Sequence, residues 1–96
     1  MKDLFLRQSA ILRNLVMSYR SGELGLNSLI QKVEGLRLVV DAPGEWDDEV
    51  FQVIVDLEQV NAAAIVGRRV LTRDEAVTVE RQLLNLESLA QRLEVL

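Results

Sequence analysis

Residues 72–94 read TRDEAVTVERQLLNLESLAQRLE, and this stretch decides the fold. Thr72 followed three residues later by Glu75 is a capping box. The hydroxyl of the first and the carboxylate of the second each satisfy an amide that the first helical turn leaves without a partner. Asp74 and Glu75 also lie against the positive end of the helix dipole. Ala76, Val79, Leu83, Leu86, Ala90 and Leu93 then step by three and four, the period of one helix face. A stripe that wide has to be buried against other elements.

Upstream, the same period recurs three times. Trp46, Val50, Val53, Ile54, Leu57, Val60 and Ala64 predict a helix over 45–66, ended by Gly67. Before it, Asp41-Ala42-Pro43-Gly44 is the clearest break in the chain. Leu26, Leu29, Ile30, Val33, Leu36 and Val40 predict a helix over 26–40, begun by Gly25 or Asn27. Gly35 inside it costs about 1 kcal/mol against alanine, and it offers room for another helix to approach closely. The first helix is predicted over 2–20. Its face is Leu4, Ile11, Leu15 and Tyr19, widened by Phe5, Leu12 and Val16. Gly22 follows it and suits a left-handed cap. Short connections favour antiparallel neighbours. The expected fold is all-α, an antiparallel four-helix bundle forming a single domain over residues 1–96. A composition 49% hydrophobic but only 4% aromatic, with one proline, fits packed helices and not many short strands.

The chain has no histidine and no cysteine. That removes the commonest general base, the thiol nucleophile and the two commonest transition-metal ligands. There is no Walker loop and no dinucleotide fingerprint. A carboxylate-only Mg²⁺ site would need acids converging inside the bundle, yet most acids fall off the apolar stripes. No enzymatic activity, cofactor or metal is therefore expected. No signal-peptide core and no apolar run approaching the roughly 20 residues of a membrane span is visible, so the expected location is the cytoplasm, away from membranes. The net charge of −4 argues against direct nucleic-acid binding, which draws its affinity from phosphate contacts. It favours a basic partner.

The placement of charge says more than its sum. From Leu38 to Gly67 there are seven acids (Asp41, Glu45, Asp47, Asp48, Glu49, Asp56 and Glu58) and no lysine or arginine. On a helix, Glu45, Glu49, Gln52, Asp56 and Gln59 form a polar stripe beside the apolar one, with Asp48 next to it and Asp41 in the preceding loop. Such a patch speeds encounter with a cationic partner. The acids also have an ordinary structural explanation, because first-turn carboxylates complement the helix dipole. That explanation covers Asp56 and Glu58 less well, since both lie beyond the first turn. Asp41, Glu45, Asp47, Asp48, Glu49 and Asp56 are the candidate partner-binding residues. Trp46 is read as a core anchor, Phe51 as flanking the main stripe, and Tyr19 as closing one end of the bundle. Arg13, Arg20 and Arg37 read as ordinary solvated positions, and Arg68 and Arg69 as cations at a helix C-terminus.

Three stretches give the chain a likeness. LVMSYRSGEL at 15–24 is a helix end and a glycine-bearing turn. LNSLIQKVEG at 26–35 is an amphipathic helix, and Asp47-Asp48-Glu49-Val50-Phe51 is an acidic helix entry. In this order they resemble the small helical immunity proteins of the colicin D type, also found in contact-dependent growth inhibition systems. The resemblance implies an antitoxin that plugs the basic cleft of a cognate toxin, typically a tRNA-cleaving nuclease, with acidic side chains. The alternative is a helical oligomerisation or adaptor module. In that reading the helix-four stripe, widened by Val77 and Leu84, forms a seam between copies and a homodimer results.

Overall fold

The computed structural model describes residues 2–96, and the described residues contain four helices and no strand. They are α1 (Lys2–Arg20), α2 (Leu26–Val39), α3 (Gly44–Gly67) and α4 (Arg73–Glu94). Each boundary has a local cause. Gly22 takes φ +83°, and the amides of Gly22 and Glu23 bond back to the carbonyls of Tyr19 and Ser18. This is the six-to-one and five-to-two closure that a left-handed residue permits. Gly25 caps α2. The capping box of α4 is complete: the Glu75 amide donates to Thr72 Oγ1 at 3.2 Å, and the Thr72 amide donates to Glu75 Oε1 at 2.8 Å.

The end of α3 departs from expectation. Gly67 remains helical and Arg68 carries the left-handed conformation, φ 49° and ψ 48°. The Arg68 and Arg69 amides close the turn on Ile65 and Ala64. Pairing with the last carbonyls chooses the position here, although a Cβ makes it costly for arginine.

Helix α1 packs on α2 and α4, and α3 packs on α2 and α4. All four stripes supply one core, which includes Leu12, Val16, Leu29, Val33, Trp46, Val50, Leu57, Leu83, Leu86 and Leu93. Trp46 is 3% exposed, and its indole Nε1 donates to the Leu89 carbonyl at 2.9 Å. It therefore ties the start of α3 to the late part of α4, as a core anchor does.

The α1 stripe is rotated from the expected one. Leu4 and Ile11 are 45% and 48% exposed, whereas Gln8 and Ser9 are buried beside Leu12 and Val16. Ser9 finds an internal partner, and Gln8 finds one for its amide nitrogen only, its Oε1 being buried without a hydrogen bond among the described residues. Ser9 Oγ donates to Glu94 Oε1 at 2.9 Å, and Gln8 Nε2 donates to the Val39 carbonyl at 3.3 Å. A bonded polar group is affordable inside, so packing rather than hydrophobicity sets the angle of α1. In α4, Ala76 is exposed while Gln82 and Leu89 are buried. Gly35 admits no close neighbour, and a Cβ built there meets nothing within 4 Å.

Candidate functional site

The acidic segment folds into the end of α2, the loop after it and the whole of α3, and that helix divides its acids between two sides. Toward α2, Asp47 accepts two hydrogen bonds from Arg37, at 2.9 and 3.0 Å. The same guanidinium lies 4.7 Å from the centroid of the Phe51 ring, a cation–π contact. The bond to Asp47, with Glu34 and Asp48 nearby, raises the Arg37 pKa. Arg37 is therefore an anchored residue and not a solvated one. So are Arg13, which pairs with Glu94, and Arg20, which pairs with Glu80 and Glu87.

Toward α4, Glu49 pairs with Arg92. Two turns further, Asp56 accepts from Gln52 Nε2 and from Gln82 Nε2, both at 3.0 Å. Gln82 is 7% exposed, and its own carbonyl oxygen accepts from Asn85 at 3.1 Å. These groups line a cleft of about 290 Å³ between α3 and α4, with Val53 and Leu89 as its apolar part and Ser88 beside them. The lining offers carboxylate and amide oxygens with a single cation, Arg92. That chemistry suits guanidinium, ammonium and peptide amide donors.

Asp41, Glu45 and Asp48 are exposed, and none makes a side-chain hydrogen bond or ion pair among the described residues. The six candidate acids therefore arrive in three conditions. Three are open, Asp47 and Glu49 are held by arginines from α2 and α4, and Asp56 accepts from the amides of exposed Gln52 and buried Gln82. The sequence placed Glu45, Glu49, Gln52 and Asp56 on one stripe, and that stripe borders the cleft. It did not reveal Gln82, Asn85 and Arg92, which come from a different helix. Their one visible signal was polarity at or beside the α4 stripe. The two arginine pairs also reduce the uncompensated charge of the segment.

Among the described residues, no group of three or more carboxylates is placed to hold a metal ion. The α4 stripe proposed as a seam between copies is occupied, because Val79, Leu83, Leu86, Ala90 and Leu93 are all buried in the core. Of that group, Ala76, Val77 and Leu84 are exposed. Compared with family models, curated proteins and solved structures, the chain has no match.

Proposed function

We propose that this chain is an antiparallel four-helix bundle that works without catalysis, as a stoichiometric inhibitor that occludes a basic partner. The antiparallel arrangement is supported by the order of the side-chain links. Along α3, Glu49 and then Asp56 meet Arg92 and then Gln82 of α4. Along α2, Asn27 and Arg37 meet Asn61 and Asp47 of α3. Along α1, Arg13 and then Arg20 meet Glu94 and then Glu87 of α4.

The observation that carries the functional reading is the join between open acids and a cleft. Asp41, Glu45 and Asp48 are exposed and unpaired among the described residues, in the loop and first turns that lead to Glu49, and Glu49 and Asp56 wall the slot with amide oxygens. Open rim acids raise the association rate, and acids already fixed in position set how tightly a cation is held. Arg92 bridges to Glu49 at the cleft, and a partner guanidinium would displace it. The likeness to colicin D-type immunity proteins agrees with this chemistry and points to a toxin domain, a tRNA-cleaving nuclease by that likeness, acting in the cytoplasm.

The reading is tested by growth protection against the basic partner. Glu45→Lys/Asp48→Lys alters only open side chains, and Glu49→Lys/Asp56→Lys alters the cleft. Both should keep wild-type helicity by circular dichroism and lose protection. Full protection by both folded variants would overturn the acidic-face mechanism.

A further inference from the structure

The outermost line of α3 has a pattern of its own that the core does not use, although Gln52 within it also lines the acidic cleft. Asp48, Gln52, Val55, Gln59, Ala62 and Val66 are spaced four, three, four, three and four. This is the 3.5-residue period of a helix-pairing seam. Asp48, Gln52, Gln59, Ala62 and Val66 are exposed, and Val55 is half-buried. From Gln59 to Gly67 there are nine consecutive residues without a charge. An 18-residue window of this helix reaches a mean hydropathy of 1.3, yet only 28% of it is buried. Val66 is 84% exposed, and Val70 just beyond is 87% exposed. Lone apolar side chains on a surface are ordinary, but a contiguous exposed apolar patch, here Ala62, Ala63, Ile65 and Val66 in the last turns of α3, marks an interface.

We infer that this face is covered by the α3 of a second copy of the chain, running antiparallel. The charge layout selects that occupant. The seam has an unpaired carboxylate at its start, Asp48, and an arginine just past its end, Arg68, whose side chain makes no hydrogen bond or ion pair among the described residues. Around a two-fold axis near Gln59, Asp48 lies about 17 Å from the axis and Arg68 about 14 Å, at about 1.5 Å of rise per residue. The mismatch of about 3 Å is within the reach of an arginine side chain. Each copy would then offer Asp48 to the other's Arg68, twice, on either side of a centre where Gln59 meets Gln59 and Val55 packs beside the other copy's Ala62. A self-complementary patch of this kind closes as a dimer and does not propagate. A parallel pairing would instead set Asp48 against Asp48. The inference stands on α3 alone and does not rest on the inhibitor reading, although Asp48 takes part in both.

The test is sedimentation velocity across a concentration series, with circular dichroism on every variant. Wild type should dimerise. Ala62→Glu/Val66→Glu, on exposed positions that the cleft does not use, should be monomeric and folded. Asp48→Arg and Arg68→Glu should each weaken self-association by at least about tenfold, because two like-charge contacts replace two attractive ones. An equimolar mixture of the two variants should recover the wild-type dimer, since the mixed pair restores both contacts. A monomeric wild type, an unaffected Ala62→Glu/Val66→Glu variant, or a mixture no tighter than its components would overturn the proposal. So would a monomer that floats with phospholipid vesicles, which would give the face to a membrane surface. Protection assays on Ala62→Glu/Val66→Glu separate this failure from failure of the inhibitor reading.

Discussion

At residue 68 an arginine holds the backbone of a glycine. Its φ of 49° closes the C-terminus of α3, a job that glycine does without a Cβ penalty. Arg68→Gly should therefore stabilise the fold by about 1 kcal/mol. Chemical denaturation at concentrations too low for self-association would measure it. Thr72 carries the opposite expectation. Its hydroxyl accepts from the Glu75 amide, so Thr72→Ala should cost about 1 kcal/mol and lower Tm by roughly 4–8 °C for a chain of this size. Glu75 itself accepts from Arg69 at 2.5 and 3.0 Å and from the Thr72 amide. These contacts, Arg69 first, pull its pKa down to about 2. A carboxyl with a depressed folded pKa contributes stability above its ordinary value, near 4.5, and that stability fades as pH falls toward 2. Carboxyl-carbon NMR should place its midpoint near 2 in the wild type and nearer the ordinary value in Arg69→Gln. The capping box was legible because both partners lie within one turn. The pairing of Arg37 with Asp47 or Arg92 with Glu49 was not, since a cross-helix neighbour leaves no trace in local spacing.

At the scale of the helix, apolar spacing found all four elements but mistook the centre of the α1 face. Leu4 and Ile11 were the more hydrophobic choice, yet the buried positions are Gln8 and Ser9. Their burial depends on bonds to Val39 and Glu94, which exist only once α2 and α4 are docked. Gly35 was likewise given a packing role that the fold does not use. With open space where a Cβ would point, Gly35→Ala should stabilise α2 by roughly 0.5–1 kcal/mol, as read by thermal denaturation. Trp46 did take the core position its spacing indicated. Trp46→Phe keeps most of the ring but removes the donor to Leu89 and should cost about 1–3 kcal/mol, whereas Trp46→Ala should cost about 3–5 kcal/mol. As the only tryptophan, it also reports docking of α3 on α4 through its fluorescence.

At the scale of the molecule, the charge asymmetry is real but smaller in effect than a count of residues suggests. Of the seven acids, two are spoken for by Arg37 and Arg92 and Asp56 accepts from two amides, which leaves Asp41, Glu45, Asp48 and Glu58 open among the described residues. The fold converts a run of like charges into an open rim, a cleft with oxygen acceptors and a separate apolar face. The sequence displayed the acids and the apolar run. It did not display the cleft, which needs α3 and α4 in register. On the proposed function, the open acids and the cleft together capture a basic partner. The most direct measurement is capture from the source organism's lysate at low and at high salt, with wild type and Glu45→Lys/Asp48→Lys as parallel baits. The wild type should hold one basic protein, toxic when expressed alone, that is released as salt rises and missed by the variant. Equal capture by both baits, or recovery of nothing but the chain itself, would contradict this function.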